Sequence, residues 1–406
     1  MENEIVITGL GVYTPIGKNT EELIDSITNR KTGISEIYEF QTDGFRNSKG
    51  GVLRDITPIE SFTGSRSSHL FNHSVEQAIK DSNFLDYYDD RSRISISVGS
   101  SLGGMDCFVD WIFNNHNNGI YSTQLNGSMK INYLESIRFI PAISLAKELA
   151  MKYEFSGGIS SSITACSASA NAIVKGVDNI VSGVSDLVII GFVEPLSLLS
   201  FMGFNTLMAM TKGELKPLDN NRTGLLIGEG SACIILEKRE KALERNAKIY
   251  ANFAGYGVSN DAYHSTQPHP NGDGAVSAMK KALKDANLLP EDIQYINVHG
   301  TGTQLNDISE IKAIKRVFGD NAASIPISST KSFLGHSLGA SGGIEALVCA
   351  LSLYNDFIPP SLNFNEKISG FEYNVVCETI HKTGLNVVMS NSFGFGGNGV
   401  SLILRR

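Results

Sequence analysis

The sequence lacks the features that mark disulfide scaffolds, zinc proteins, membrane proteins and nucleic-acid binders. Its five cysteines, at positions 107, 166, 233, 349 and 377, are scattered, and no two form a CxxC pair. This pattern argues against a disulfide framework or a zinc cluster and favours a reducing compartment. No apolar run approaches the ~18 residues that a membrane helix needs. The net charge of −8 argues against a dedicated nucleic-acid binder.

What the sequence does have is the composition of a globular protein. It contains 406 residues, of which 42% are hydrophobic and 19% are charged. This is enough for one large or two medium domains with a substantial core. The acidic residues 1 to 5 lead straight into a strand-like run, so we expect no signal peptide and a cytoplasmic location.

Small residues around Cys166 have the pattern of a strand-to-helix elbow. Residues 157 to 162 form a predicted glycine turn and short strand, and residues 168 to 174 start a helix with apolar periodicity. The thiol would then lie in the first helical turn, where unpaired N–H groups and the helix dipole favour a thiolate. We therefore expect a nucleophile with a pKa below the usual ~8.5. The alternative is a buried cysteine packed at the junction of two elements.

Two parts of the chain resemble each other, which indicates a duplicated α/β fold. Residues 78 to 85 (AIKDSNFL) match residues 282 to 289 (ALKDANLL), and each octapeptide precedes an acidic turn, a strand and a glycine-containing loop. Strand-like runs at 5–12 and 232–237 match runs at 250–258 and 400–405. We predict two α/β halves, residues 1–250 with the elbow and residues 251–406, with largely parallel sheets covered by helices.

Polar segments follow strand-like runs in the second half. In an open α/β layout the carboxyl ends of strands form the ligand-binding edge, so we expect these segments to meet Cys166 there. Each segment alone has a simpler interpretation, such as a structural histidine, a solvated lysine, a turn or a phosphate loop. Together, a thiol, two histidines and a lysine at equivalent strand ends favour a catalytic site. The segments carry His299; Asp307 and Glu310; Lys331 and His336; and Phe393 and Phe395.

The motifs in these segments resemble those of a known enzyme family. They are Thr164-Ala-Cys-Ser-Ala, His299-Gly-Thr-Gly-Thr, Lys331 with Gly-His336, and Asn391-Ser-Phe-Gly-Phe-Gly-Gly. In this order they resemble a β-ketoacyl-acyl-carrier-protein synthase of the type II condensing-enzyme group, over essentially the whole chain. The resemblance implies the thiolase fold, a duplicated five-layered α/β/α/β/α structure.

The reaction implied by the resemblance is a decarboxylating Claisen condensation in fatty acid or polyketide chain elongation. Cys166 would take an acyl group from the phosphopantetheine arm of an acyl carrier protein. The enolate formed from malonyl-carrier protein would then attack this acyl thioester. The resemblance also implies a homodimer, or a heterodimer with a chain-length-factor-like subunit, with no cofactor or metal and no nucleic-acid or membrane partner.

The same resemblance assigns roles to individual residues. The backbone N–H groups of Cys166 and Phe395 would form an oxyanion hole, and Phe395 would gate the acyl chain. His299 and His336 would hydrogen-bond the malonyl thioester carbonyl, and Lys331 would anchor His299. The remaining assignments are Glu310 as the partner of Lys331; Asp307 as a supporting residue; Thr301 and Thr303 for the pantetheine amides; and Phe108, Phe204, Thr266 and Phe393 for substrate binding.

Several positions depart from the housekeeping elongation enzymes. Asn398 follows Phe-Gly-Gly where Thr-Asn is usual, and Thr-Ala-Cys-Ser is nearer the polyketide type. These features are similar to ketosynthases of aryl polyene and related type II polyketide pathways. The basic patch for the carrier protein is thin, because residues 62 to 70 contain only Arg66 and Met208 replaces a common arginine. Phe108 replaces a smaller aliphatic residue, which predicts a shorter or re-aimed acyl tunnel.

Two other functions share the expected fold. A thiolase needs a second catalytic cysteine near the C-terminal glycine loop, and residues 394 to 399 contain none. A non-elongating chain-length-factor-like subunit normally lacks the nucleophile, whereas Cys166 is present. Both observations favour the ketosynthase.

Overall fold

The computed structural model describes residues 4–56, 65–106 and 140–406. Its helices are α1 Thr20–Thr28, α2 Arg66–Ser82, α3 Ile143–Tyr153, α4 Ala168–Val181, α5 Leu198–Thr206, α6 Arg239–Glu244, α7 Asp273–Asp285, α8 Gln304–Phe318, α9 Lys331–Leu334 and α10 Ser341–Asn355. Its strands are β1 Ile5–Tyr13, β2 Ile34–Glu36, β3 Lys49–Gly51, β4 Ile94–Gly99, β5 Ile159–Ser162, β6 Leu187–Glu194, β7 Gly230–Lys238, β8 Ala251–Asn260, β9 Tyr295–Asn297, β10 Pro326–Ser328, β11 Phe357–Ile358, β12 Asn374–Val375, β13 Ile380–His381, β14 Val387–Phe393 and β15 Asn398–Arg405.

The main strands form an 11-stranded sheet whose two halves have the same internal order. From the centre outward, one half runs β1, β7, β6, β4, β5, and the other runs β8, β15, β14, β9, β10, with β12 at the far edge. β1 and β8 join the halves in antiparallel pairing, with Ile5 opposite Phe253. The strands that the sequence matches as repeats, β1 with β8, β4 with β9 and β7 with β15, therefore occupy equivalent positions. The division at residue 250 stays a prediction.

Helices cover both faces of the sheet and form a layer between its halves. On the first half, α2 and α3 pack through a cluster that includes Phe71 and Leu149. On the second half, α7 and α8 pack through a cluster that includes Met279 and Ile314. The apolar residues of α4 and α10 share a third cluster with inner-face residues of both halves. The resulting order is helix, sheet, helix, sheet, helix.

The two middle-layer helices, α4 and α10, meet at their first turns through small residues. The backbone N–H of Gly343 donates a hydrogen bond to Ser169 Oγ at 2.7 Å. A Cβ atom on Gly343 would lie 2.2 Å from the ring of Phe192, and one on Gly342 would lie 3.2 Å from Ala170 Cβ. A side chain on Gly343 would therefore push α10 away from β6, and one on Gly342 would push it away from α4.

The helices and strands predicted from the sequence are confirmed where the structure describes them. The prediction of largely parallel sheets is wrong, because the five central pairings of the sheet, from β6 to β14, are antiparallel. The strand-like run at residues 5–12 is β1, and the strand that follows residues 78–85 is β4. The carboxylates at positions 21 and 22 predict a helix from Thr20, and α1 begins there.

The apolar sequence around Cys233 and Cys349 predicts core residues, and both are fully buried. The sequence also predicts a mostly helical insertion at residues 106–150, most of which falls outside the described residues. Within the described ranges, no helix combines the length and apolar character needed to cross a bilayer.

Gly99 at the end of β4 provides a test of this packing. Its Cβ position lies 2.4 Å from Ser169 Cα, so we expect Gly99→Ala to displace α4 and to lower the free energy of unfolding by about 1–3 kcal/mol. The Cβ position of Gly213 has no neighbour within 4 Å, so Gly213→Ala should leave stability unchanged. Urea denaturation measures both variants, and equal stabilities would contradict the packing argument.

Candidate active site

Cys166 lies at a strand-to-helix elbow, as the sequence predicts. A single 3₁₀ turn, Ala165–Ser167, connects the segment after β5 to α4. Ala165 has a left-handed φ of 48°, which is strained for a residue with a side chain. Next to it, the Asn171 side-chain amide donates a hydrogen bond to Thr164 Oγ1 at 2.8 Å. This contact helps to hold the elbow in its strained conformation.

The glycine loop between β14 and β15 lies directly over the elbow. The Cβ position of Gly394 is 3.1 Å from the backbone nitrogen of Cys166 and 3.0 Å from the carbonyl oxygen of Thr164. Such a close approach favours glycine. The backbone N–H groups of Phe395 and Cys166 lie near enough to the Cys166 sulfur to act on its pKa, which they lower. The resemblance assigns the same two N–H groups to an oxyanion hole, which would act on the carbonyl oxygen of an acyl group on Cys166.

Two histidines from the second half of the chain face this sulfur. Cys166 Sγ and a ring nitrogen from each of His299 and His336 lie within 4.8 Å of one another. The two rings meet edge to face, with centroids 5.3 Å apart. All three side chains are buried. Sulfur and imidazole nitrogen are also ligands that Zn²⁺ accepts, so this is the cluster that could hold a metal among the described residues.

Lys331 lies behind His299. Its Nζ is 3.3 Å from His299 Nδ1, and it forms a buried ion pair with Glu345. An ammonium group has only donors, so Nδ1 accepts and the proton of a neutral ring is on Nε2. His299 can therefore offer an N–H donor to the cavity, and the predicted anchoring by Lys331 is present.

The predicted pairing of Lys331 with Glu310 is wrong. Glu310 instead accepts the backbone N–H groups of His299 and Gly300, each at 2.9 Å, and so fixes the loop after β9. Sequence reasoning missed Glu345, the actual partner. The signal was a single carboxylate inside the otherwise apolar helix α10, because such a group needs a buried partner.

His336 is held by its main chain and by α10. Its backbone N–H donates to the carbonyl oxygen of Leu226 at 2.8 Å. Its Nδ1 lies 2.9 Å from the hydroxyl oxygen of Ser341, the first residue of α10. When this hydroxyl donates, Nε2 of the neutral ring carries the proton. The second imidazole can then also act as an N–H donor.

These groups open into a cavity of about 590 Å³. The ring of Phe395 stacks on that of Phe204 in α5, with centroids 5.4 Å apart and an angle of 24° between the rings. This contact places the predicted gate residue against a predicted pocket residue. The predicted residues that line the cavity are Cys166, His299, His336, Phe395, Phe393, Phe204, Thr266, Thr301, Thr303 and Glu310.

Asp307 supports the site from outside the cavity. Its carboxylate accepts the backbone N–H groups of Leu218 at 2.7 Å and Gly302 at 3.2 Å. It also lies 3.6 Å from the guanidinium of Arg222. Asp307 therefore holds the loop that carries Thr301 and Thr303. Phe108 lies outside the described residues.

Burial controls the protonation states. It raises the pKa of Cys166 to about 12, and the Lys331 charge and the Phe395 N–H oppose this only in part. The predicted lowering of this pKa is therefore wrong. Burial, reinforced by the Lys331 charge, holds the pKa values of His299 and His336 well below the usual value. The resting site thus contains a protonated thiol and two neutral imidazoles.

The fold and the site together define a condensing enzyme of the thiolase-fold class. The model for "Beta-ketoacyl synthase, N-terminal domain" matches residues 2–242, and that for "Beta-ketoacyl synthase, C-terminal domain" matches residues 250–365. The chain belongs to the β-ketoacyl synthase family and is an acyltransferase.

The chain is similar to curated and solved members over its full length. It is 34% identical to the 3-oxoacyl-[acyl-carrier-protein] synthase 2 of Coxiella burnetii, over 100% of this chain and 99% of the relative. The ishigamide ketosynthase/chain length factor has a TM-score of 0.87 at 29% identity, covering 100% and 99% of the two chains. A type II polyketide ketosynthase solved in complex with its acyl-carrier protein has a TM-score of 0.86 at 28% identity, with the same coverage.

The free energy of unfolding of suitable variants tests the Lys331–Glu345 ion pair behind His299. Burial raises the pKa of Glu345 to about 7, so the pair is best measured near pH ~8, where the carboxylate is ionised. We expect Glu345→Leu to lower the free energy of unfolding by about 3–5 kcal/mol, because it leaves Lys331 buried and unpaired. The double variant Lys331→Met/Glu345→Leu should recover most of this loss in urea denaturation. A second double-mutant cycle, with Lys331→Met and Glu310→Gln, should give a much smaller coupling energy. A larger coupling energy for Glu310 than for Glu345 would contradict the assignment of Glu345 as the partner of Lys331.

The raised pKa of Cys166 predicts how its alkylation depends on pH. A thiol whose pKa is raised to about 12 gains thiolate only as the pH approaches that value. The rate of iodoacetamide modification at Cys166 should therefore still be rising at pH ~10. Peptide mapping measures it, with the exposed Cys377 as the reference in the same sample. A rate that levels off near pH ~8 would show that the helix N-terminus outweighs burial.

Proposed function

We propose that this protein is a β-ketoacyl-acyl-carrier-protein synthase that elongates an acyl chain by two carbons in fatty acid or polyketide synthesis. The observation that carries the proposal is the meeting of one thiol and two neutral imidazoles beneath two backbone N–H donors. A cavity of about 590 Å³ has room for an acyl thioester and the end of a phosphopantetheine arm. The substrates would arrive on that arm, so the reaction needs no further cofactor or metal.

The first step would load the acyl group onto Cys166. The sulfur attacks the thioester carbonyl, the new S–C bond forms, and the bond to the pantetheine sulfur breaks. The proton of the Cys166 thiol ends on the departing pantetheine thiolate, so the step is balanced. The N–H groups of Cys166 and Phe395 would stabilise the oxyanion, and each such donor is worth roughly 10²–10³ in rate.

The second step would form the carbon–carbon bond. Malonyl thioester loses CO₂, and the electrons of the broken bond form an enolate on the thioester oxygen. N–H donors from His299 and His336 would stabilise this charge. The enolate carbon attacks the acyl carbonyl, the bond to the Cys166 sulfur breaks, and the leaving thiolate takes up one proton from solvent water. Thr301 and Thr303 line the same cavity, where their hydroxyls would hold the pantetheine amides.

The outer edge of β5 supports the proposal of a dimer. In the described part of the chain, β5 pairs with β4 alone. Ile159, the first residue of β5, and Ile163, which follows its last residue, are 41% and 67% exposed. An apolar sheet edge of this kind favours pairing with another chain. The partner would be a second copy or a chain-length-factor-like subunit, and ultracentrifugation of the protein alone and mixed with such a subunit distinguishes them.

A chain-length-factor-like role for this chain itself is the alternative. The nucleophile, both imidazoles and the N–H donors are all in place, which favours the elongating role. The aryl polyene pathway, the acyl chain length and the cytoplasmic location stay predictions.

Intact-protein mass spectrometry tests the proposed reaction. After incubation with an acyl thioester, the wild type and Cys377→Ala should carry one acyl group, whereas Cys166→Ala should carry none. His299→Ala and His336→Ala should still be acylated but should release CO₂ from malonyl thioester at least ~10²-fold more slowly. Condensation by Cys166→Ala would refute the proposal.

A further inference from the structure

Glu194 is a buried carboxylate that the steps described above do not use. It is the last residue of β6 and is fully buried. Its Oε2 accepts hydrogen bonds from the backbone N–H of Ser101 at 2.8 Å, the hydroxyl of Ser101 at 2.7 Å and the backbone N–H of Gly339 at 3.0 Å. Its Oε1 accepts the backbone N–H of Leu102 at 3.0 Å. All four donors belong to neutral groups, so the carboxylate is a shared acceptor for two other segments of the chain.

These hydrogen bonds join the end of β6 to two loops near the active site. Ser101 lies in the loop after β4, and Gly339 lies in the 3₁₀ turn Leu338–Ala340, which follows His336. The approach is close, because a Cβ atom on Gly339 would lie 2.2 Å from the backbone nitrogen of Ser101 and 2.6 Å from Glu194 Oε2. Glu194 therefore fixes the turn after His336 to the first half of the fold.

The turn Leu338–Ala340 lies between His336 and the hydroxyl that orients its ring. Ser341, which carries this hydroxyl, directly follows the turn, and its Oγ lies 2.9 Å from His336 Nδ1. Within the turn, Leu338 has a left-handed φ of 42°. Such a conformation is strained for a residue with a side chain and persists only where the surrounding contacts impose it. The hydrogen bond from Gly339 to Glu194 is one such contact.

We propose that Glu194 is a positioning residue for His336, whose imidazole it keeps directed at the substrate by fixing the turn Leu338–Ala340. This inference rests on the proposed function, because it takes His336 as a donor to the enolate. Only the second step uses that donor. Loss of the carboxylate should therefore slow the decarboxylation of malonyl thioester much more than the acylation of Cys166.

The charge of Glu194 gives no reason for slower acylation when it is removed. Burial and, to a smaller extent, this charge raise the pKa of Cys166. A neutral side chain at position 194 should therefore make the thiolate easier to form. A selective loss of the second step would then report on geometry and not on the charge at the sulfur.

The first experiment compares the two steps in Glu194→Gln. Burial raises the pKa of Glu194 to about 7, so the rates are measured at pH ~8, where the wild-type carboxylate is ionised. Glutamine keeps the size of the side chain, but its NH₂ group must face one of the N–H donors. The kcat for CO₂ release from malonyl thioester should fall about tenfold or more, because small displacements of a reacting group are costly. Acylation of Cys166, followed by intact-protein mass, should change less than about threefold. Equal losses in the two steps would overturn the proposal.

Glu237→Gln is the matched control for the loss of a buried carboxylate. Glu237 is fully buried in β7, opposite Leu187 at the other end of β6, and pairs with Arg245 at 2.6 Å. Its substitution should lower the urea midpoint but leave the ratio of the decarboxylation rate to the acylation rate within about twofold of the wild-type ratio. A change in this ratio as large as that of Glu194→Gln would overturn the proposal.

A double-mutant cycle identifies the residue through which Glu194 acts. In a His336→Ala background, Glu194→Gln should lower the rate of CO₂ release by less than about twofold, because the group that it positions is gone. In a His299→Ala background the loss of about tenfold should remain. Equal losses in both backgrounds would overturn this inference alone. Wild type that releases no CO₂ would instead overturn the proposed function.

Ser341→Ala tests the same series of contacts without altering Glu194, and so does not depend on how well Glu194→Gln folds. Removal of the hydroxyl that faces His336 Nδ1 should reproduce the selective loss of CO₂ release, by about tenfold, with acylation of Cys166 nearly unchanged. If Ser341→Ala slowed both steps equally or neither of them, the proposed route from Glu194 to His336 would be wrong.

Discussion

The contact between the first turns of α4 and α10 is the constraint on which the site depends. α4 follows Cys166 directly, and α10 begins shortly after His336. Ser169 and Gly343 bring the two helix starts together through one hydrogen bond, and the adjacent glycine leaves no room for a side chain. Since the helices come from different halves of the duplicated fold, this contact sets the distance between sulfur and imidazole.

Exclusion of water from this junction determines the protonation states of Cys166, His299 and His336. Cys166 is only 5% exposed, so the cost of desolvating a thiolate exceeds the stabilisation by the Lys331 charge and the nearby N–H groups. The same burial keeps both imidazoles neutral. Neutral N–H donors suit an enolate or a tetrahedral oxyanion, because they stabilise charge that develops during the reaction without fixing a permanent charge in the cavity.

The charged side chains around the cavity mainly position other residues of the protein. Lys331 orients one imidazole while its charge is balanced by Glu345, and Glu310 and Asp307 hold backbone N–H groups of the loop after β9. The part of the cavity next to Cys166 is thus lined by hydroxyls, imidazoles and aromatic rings.

Local sequence was sufficient for much of the fold. Periodicity and composition in contiguous stretches identify α1, β1, β4 and the elbow, and matched runs in the same order identify the repeat. The motifs around Cys166, His299 and His336 identify the reacting groups, because their residue types and order are properties of the chain. Family membership follows from the same motifs.

Only the tertiary structure decided how these groups are paired and charged. It assigned Glu345 to Lys331, raised the pKa of Cys166, and paired the buried Arg66 with Glu229. Each of these outcomes depends on groups from distant parts of the chain and on how much water their packing excludes. No contiguous stretch of sequence encodes a group's distant partner or the amount of water excluded around it. The sequence alone therefore determined which groups react, and the folded structure decided their partners and protonation states.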